Sequence, residues 1–232
     1  MLQVVAPAEP LDPRQQLDLE AAAFAAPERL PRAIAWLWEP ASALLVVTRP
    51  EMRLPHYAAA VEQLGKSGWP LYERRTGGTA VPLARGMLVL TRIDEVPGSG
   101  EGVSLTAGFE RLVAPLIAAL AGLGITAGVG EVPGAFCDGR YNLVSAGRKL
   151  AGTAQRQRRP APDRWRAMAH AVLLVDAGSR ARCDAVYQFE EWAGGTRRLD
   201  PAVVTTVADE AGESRRIQLP DVRAAILRAL DA

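Results

Sequence analysis

Phe136-Cys137-Asp138-Gly139-Arg140-Tyr141-Asn142-Leu143-Val144-Ser145-Ala146-Gly147-Arg148-Lys149-Leu150-Ala151-Gly152-Thr153-Ala154-Gln155 gathers much of the chemistry of this 232-residue chain. It sets one of two cysteines shortly before one of two lysines. The chain carries 27 basic residues, and only Lys66 and Lys149 among them are lysine. A sequence that writes arginine almost everywhere keeps at 149 a compact ammonium with a tunable pKa, where arginine would present a fixed fork. Arg140–Ser145 and Arg148–Gln155 flank Ala146-Gly147 and read as the two strands of a tight hairpin. An exposed hairpin lysine is the plain alternative for Lys149.

The bulk properties bound the surroundings of this hairpin. A chain of this length can bury a sizeable core. Its apolar fraction of 49% and charged fraction of 23% are ordinary for a globular protein. The net charge of +1 gives no case for nucleic acid or an anionic membrane as partner. Cys137 and Cys183 lack the clustering of a disulfide framework or zinc site, which points to a reduced, cytoplasmic setting and no metal. The first residues, Met1-Leu2-Gln3-Val4-Val5-Ala6-Pro7, do not read as a signal peptide. No stretch reads as long and apolar enough to cross a bilayer.

Working outward, residues 1–10 read as an extended leader, and Asp12-Pro13 as the start of a helix to about 26 with Leu17, Leu19, Ala23 and Phe24 as its apolar stripe. Ala33–Trp38 reads as a strand, with Ala43–Thr48 as its hairpin or sheet neighbour. Tyr57–Leu64 reads as a short helix and Met87–Leu90 as a buried strand. Residues 94–104 read as a loop. Ala107–Leu123 reads as a helix with Phe109, Leu112, Leu116, Ile117 and Leu120 on one face. Arg156–Arg166 reads as a basic loop, Ala171–Val175 as a short strand, and the tail as helices near 180–193, 201–210 and 219–231. The expectation is one mixed domain over 1–232, with a largely antiparallel sheet and a helical segment from about 178.

A second stretch is Arg74-Arg75-Thr76-Gly77-Gly78-Thr79-Ala80-Val81, a glycine turn after a strand. Paired glycines let backbone N–H groups approach a ligand, and the arginines ahead can clamp a phosphate or carboxylate. A surface turn with solvated arginines is the alternative.

Three ordered blocks carry a resemblance. Arg74–Val81 resembles the double-arginine, triple-glycine turn of the lipoate–protein ligase and octanoyltransferase superfamily. Gly139-Arg140-Tyr141-Asn142-Leu143 followed by Gly147–Gln155 is similar to its lysine signature, and Ala169-His170-Ala171-Val172-Leu173-Leu174 to the strand after it. The resemblance covers roughly residues 15–210. It implies an α+β fold of the biotin/lipoate ligase type, a mixed sheet flanked by helices. It implies attachment of a lipoyl or octanoyl group to a lysine of a small carrier, such as the lipoyl domains of 2-oxoacid dehydrogenases or the glycine-cleavage H protein. On this resemblance Lys149 meets the acyl carbonyl. Arg74, Arg75, Thr76, Gly77, Gly78, Thr79, Ala80 and Val81 cover the substrate, joined by Gly139, Arg140, Asn142, Gly152, Thr153, Ala154 and His170. An apolar tunnel would take the eight-carbon chain.

The superfamily divides into ATP-using ligases and transferases, some of which carry the acyl group on cysteine. Cys137 with Lys149 is similar to the cysteine-dependent amidotransferases, which implies Cys137 as acyl-thioester nucleophile and Lys149 as its activator. A nearby ammonium lowers a thiol's pKa and helps hold an oxyanion. The sequence departs from the ligase pattern, with Thr79 at the third glycine and Leu83-Ala84 and Met87 near positions where ligases keep a His-Asp pair and an asparagine. These departures weaken ATP and magnesium use. An ATP-dependent lipoate ligase, with Cys137 structural, and a non-catalytic binder of lipoylated carriers remain the alternatives. His170 reads as a general base or a structural histidine, His56 as a surface residue, and Cys183 as a buried apolar one. The basic stretch 156–166 would steer an acidic carrier, cover an adenylate, or simply be solvated.

Overall fold

The computed structural model describes residues 1–26, 31–97, 104–161, 164–212 and 215–231. In chain order it runs β1 (Gln3–Val5), α1 (Pro13–Ala25), β2 (Ala33–Trp38), β3 (Leu44–Thr48) and α2 (Tyr57–Lys66). Then come β4 (Leu71–Arg74), β5 (Val81–Leu83), β6 (Met87–Pro97), α3 (Leu105–Gly122), β7 (Gly128–Gly130) and β8 (Asn142–Ser145). β9 (Arg148–Ala161), β10 (Arg164–Leu174), α4 (Gly178–Arg182), α5 (Asp184–Trp192), α6 (Val207–Ala211) and α7 (Leu219–Asp231) follow.

The strands form a seven-stranded sheet in the order β1-β2-β6-β10-β9-β8-β7 and a three-stranded sheet in the order β4-β3-β5. β1 pairs parallel with β2, and β4 with β3; the other pairings are antiparallel. The large sheet is covered on both faces, so its central strands are continuous apolar runs. Side-chain alternation sorts them into two cores. Trp36, Trp38, Met87 and Val89 face the core shared with Phe24 of α1 and with the small sheet. Ala35, Leu37, Leu88 and Leu90 face the core built with α3 and α7.

Several sequence expectations change. β3 is not a neighbour of β2: it is the centre of the second sheet, because its Val and Leu side chains are buried on both sides. Arg156–Ala161 and Arg164–Arg166 are not loop but the adjoining ends of β9 and β10, and 94–97 continue β6. Arginine-rich strands hide their alternation, since long side chains lay their stems over apolar surface. Arg156 stacks over Phe24, 5.2 Å from the ring centroid, and Arg166 is fully buried. Residues 98–103 of the expected loop lie outside the described residues, as do 162–163.

α1 starts where expected, with Asp12 accepting from the Gln15 N–H at 2.9 Å, a cap that contributes about 1 kcal/mol. Its buried side, however, carries Gln16, Glu20 and Phe24, and Leu19 is exposed. α3 likewise corrects the reading that no stretch is long and apolar enough to cross a bilayer: its 18 residues have mean hydropathy 1.4, enough on length and composition. Here that apolarity is spent on packing, with Leu112, Val113, Leu116 and Leu120 against the sheet and α7.

Candidate active site

The β8–β9 hairpin forms as its sequence directs. Val144 faces Lys149 and Ser145 faces Arg148, and the turn residues Ala146 and Gly147 have φ of 46° and 75°. Left-handed φ at both central positions matches the twist of the strands. Lys149, at the start of β9, points inward and is fully buried. Gly152 makes that possible: a Cβ there would lie 3.2 Å from Lys149 Nζ and 3.3 Å from Cε, so the lysine rests on bare backbone.

Cys137 sits in the turn between β7 and β8 with φ of 46°, a left-handed conformation that costs a side-chain-bearing residue roughly 1–2 kcal/mol. The surroundings hold it there. Its N–H donates to Thr79 Oγ1 at 3.0 Å, and its carbonyl accepts from Asn142 Nδ2 at 2.9 Å and Lys149 Nζ at 3.0 Å. Lys149 Nζ also donates to the Phe136 carbonyl and lies 4.2 Å from the Phe136 ring centroid. Arg74 Nη2 donates to Cys137 Sγ at 3.6 Å and to the Thr79 carbonyl at 2.9 Å.

These contacts set the titration of the pair. Burial by itself would raise the Cys137 thiol, but Lys149, Arg74 and a backbone hydrogen bond at Thr79 together leave it below the usual thiol value. Burial pushes Lys149 down to about 8, with the Cys137 charge opposing. Cys183, buried beside the Ser179 carbonyl, is pushed up to about 12 by desolvation. The two thiols therefore shift in opposite directions, Cys137 below the usual value and Cys183 above it.

A cavity of about 460 Å³ opens between α1, the small sheet and β6, β9 and β10. Its inner wall is apolar, with Leu17, Val46, Val81, Val89, Met168 and Val172, and arginines stand at its polar side. Of the residues named from the sequence, Arg74, Arg75, Thr76, Val81 and His170 line it. The Thr76 hydroxyl is buried there with no hydrogen-bond partner among the described residues. The other expected substrate contacts do not line this cavity. Gly77, Gly78, Thr79 and Ala80 form the back of the turn. Asn142 and Thr153 hold backbone: Asn142 Oδ1 accepts from the Thr153 N–H at 3.1 Å, and Thr153 Oγ1 donates to the Tyr141 carbonyl at 2.9 Å. Gly139 and Arg140 lie in the loop before β8, with Arg140 exposed and 3.5 Å from Glu131. Ala154 is buried opposite His170 in the β9–β10 register.

Cys137 and Lys149 also stay off the cavity wall; Arg74 touches both compartments, lining the cavity and contacting the thiol. His170 is tied into a buried cluster: Nδ1 is 3.2 Å from Thr91 Oγ1 and 3.6 Å from Glu20 Oε2. Burial first, and then the Arg74 charge, push His170 down to about 3, so it stays neutral. Sequence reading missed Glu20, which accepts from Gln16 and Trp38 at 2.9 Å and from Thr91 at 3.0 Å while fully buried. It also missed Arg14, Tyr72 and Arg156 of the cavity wall; only the β9–β10 alternation could have placed Arg156 there. Among the described residues no group of three His, Cys, Asp or Glu side chains gathers as a metal site.

This two-sheet α+β fold is that of solved lipoate–protein ligases. The bipartite lipoate protein ligase of Thermoplasma acidophilum, solved in work that includes its E2 lipoyl domain, superposes with a TM-score of 0.67 at 18% identity, covering 99% of this chain and 81% of that one. In sequence, an uncharacterised protein of Cupriavidus necator is 36% identical over 195 residues, 77% of this chain and 74% of that protein. The octanoyl-[GcvH]:protein N-octanoyltransferase of Geobacillus kaustophilus is 29% identical over 172 residues, 73% of this chain and 58% of that enzyme. Residues 12–231 match the lipoyl protein ligase A/B catalytic domain, and the chain belongs to that family.

Proposed function

We propose that the protein transfers an octanoyl or lipoyl group to the acceptor lysine of a lipoyl carrier domain through an acyl-thioester on Cys137. The observation that carries this reading is a cysteine in a left-handed turn, its thiol against Arg74 and its carbonyl bonded to Lys149. In the first step the Cys137 thiolate attacks the acyl carbonyl of the donor carrier. A C–S bond forms, the amide C–N bond breaks, and the donor lysine leaves as an amine after taking a proton. In the second step the neutral amine of the acceptor lysine attacks the thioester. The C–S bond breaks, the new amide forms, a proton is released and the thiolate returns. In this reading the Lys149 ammonium stabilises the oxyanion of each tetrahedral intermediate.

The cavity supports an acyl chain of this class, with an apolar wall for methylenes and the unpartnered Thr76 hydroxyl as a polar contact. The names of relatives such as the Geobacillus enzyme support the donor and acceptor, and the carrier is read as the glycine-cleavage H protein or an E2 lipoyl domain. Both cysteines are free, in keeping with a cytoplasmic enzyme.

The test is to mix the protein with octanoylated GcvH, without ATP, and follow its intact mass. An acyl adduct is expected on the wild type and absent from Cys137→Ser. Carrier modification that requires ATP and free acid, with no adduct, would replace this reading with a ligase. Carrier affinity with neither adduct nor product would replace it with a binder.

A further inference from the structure

We propose that Arg74 is the counter-ion of the Cys137 thiolate, and that Thr79 is the positioning residue that brings the two together. This rests on the transferase reading for its meaning, though not for its geometry.

Arginines ahead of a glycine turn invite the role of substrate clamp. Arg74 is instead oriented toward protein. One Nη2 nitrogen is shared between the Thr79 carbonyl at 2.9 Å and Cys137 Sγ at 3.6 Å. Lys149, the other cation of the site, has two of its three N–H donors committed to the carbonyls of Phe136 and Cys137. Among the hydrogen bonds of the described residues, Arg74 is the side chain that donates to the sulfur. The guanidinium stays charged at every relevant pH, whereas the Lys149 ammonium, which lowers the thiol more strongly, is itself pushed down by burial to about 8 and loses its charge above that pH.

Thr79 explains how a cysteine from a distant loop finds this arginine. It occupies the position where the resembled turn has a third glycine, and so supplies a side chain where none is expected. That side chain accepts the Cys137 N–H at 3.0 Å, while the backbone carbonyl of the same residue accepts from Arg74. One residue thus holds the nucleophile with its hydroxyl and the counter-ion with its carbonyl. Gly78 completes the arrangement. Its φ is +97°, and a Cβ there would lie 2.7 Å from both Arg74 Nη2 and Cys137 Sγ, inside the space where the two groups meet.

The consequence for the reaction is a handover. Acylation removes the charge on sulfur, and with it the reason for Arg74 to face the thiol; the guanidinium keeps its bond to Thr79 and its place on the cavity wall. Hydrolysis or transfer restores the thiolate and the contact.

The test reads the thiolate directly, by its absorbance near 240 nm during a pH titration, as the difference from Cys137→Ser. It needs neither reagent access nor a turnover assay. Arg74→Gln is expected to move the Cys137 midpoint up by about one pH unit or more, the size of effect one close opposite charge has, and Arg74→Lys to restore part of it. Thr79→Val, which keeps the shape and loses the hydroxyl, is expected to move the midpoint in the same direction, and Thr79→Ser to return it. A midpoint unchanged in Arg74→Gln, with native circular dichroism, overturns the proposal. Where Arg74→Gln does not fold, the Thr79→Val and Thr79→Ser pair decides it: equal midpoints overturn it. Acyl transfer enters neither arm. A wild type that forms no acyl adduct but shows these shifts loses the transferase reading and keeps the Arg74–Cys137 pair.

Discussion

Lys149 reaches Cys137 through the cysteine's own carbonyl: Nζ lies 3.0 Å from that oxygen, and the lysine grips the backbone that carries the thiol. A buried ammonium used this way both shapes a turn and lends it charge.

Lys149→Met keeps the apolar stem and abandons the carbonyls of Phe136 and Cys137 in a buried place. Acyl transfer is expected to fall at least ~100-fold, the usual loss for a removed oxyanion donor. Lys149→Arg is expected to fare little better, since the side chain lies directly on Gly152 and leaves no room for a planar fork. Single-turnover transfer from octanoylated GcvH measures both, and a fully active Lys149→Arg would contradict the packing argument.

Glu20 and His170 make a proton-linked pair whose effects cancel. Burial pushes Glu20 up from 4.5 to about 7, and burial with Arg74 pushes His170 down from 6.5 to about 3. Between pH 4.5 and 6.5 the folded pair holds one proton, on Glu20; the unfolded pair also holds one, on the histidine. Equal proton counts give no slope of stability with pH. Each substitution unmasks the other partner. In Glu20→Gln, the unfolded state alone takes up a proton below pH 6.5, so stability falls on acidification. In His170→Gln, the folded state alone keeps a proton between pH 7 and 4.5, so stability rises on acidification. Each slope approaches about 1.4 kcal/mol per pH unit at most. Denaturant melts from pH 4.5 to 7 should show two slopes of opposite sign; parallel curves would mean that the pair does not titrate in this way.

Arg197 joins three parts of the chain. It donates to Glu51 at 2.7 Å and to Glu190 at 2.5 Å, while Glu51 accepts the Ala80 N–H at 2.8 Å at the end of the glycine turn. Arg197→Met strands two buried carboxylates. With the arginine itself about 30% exposed, the expected cost is about 2 kcal/mol, below that of a fully buried pair. That corresponds to a melting temperature lower by roughly 4–8 °C for a chain of this size. Calorimetry checks it, and a change within error would assign the network to solvent-screened surface.

Ala146 carries its positive φ without the help of a glycine or asparagine. Ala146→Asn gives the Asn-Gly pair that this type of turn prefers. A gain of about 0.5–1 kcal/mol is expected, seen as a melting temperature higher by roughly 1–4 °C; a lower one would show that the turn is held by contacts the substitution disturbs.

The sequence announces those parts of the fold where local chemistry and long-range packing agree. The Ala146-Gly147 hairpin, the Asp12-Pro13 helix start and the apolar β2 and β6 are of this kind. It conceals the parts where packing overrides composition. β9 and β10 look like a solvated basic loop because their stabilisation comes from mutual pairing and from arginine stems over Phe24 and beneath α1. Glu20 is invisible as a site residue because nothing local marks a carboxylate for burial; only the fold brings Trp38, Thr91 and His170 around it. Cys137 and Lys149 were legible as a pair, but the roles of Thr79 and Arg74 depend on a turn 58 residues from the cysteine.

Asp200 N–H donates to the Gly134 carbonyl at 2.8 Å, and Thr205 N–H to the Lys149 carbonyl at 2.9 Å, so residues from 200 onward clasp both the cysteine loop and the lysine strand. During synthesis, which proceeds from the N-terminus, Cys137 and Lys149 leave the ribosome before that clasp exists. A nascent or prematurely released chain ending near 195 carries Cys137, Lys149, Arg74 and Thr79 but lacks the backbone partners of the Gly134 and Lys149 carbonyls. Closing the two carbonyls of the cysteine loop and the lysine strand is thereby left to the last part of the chain to be made.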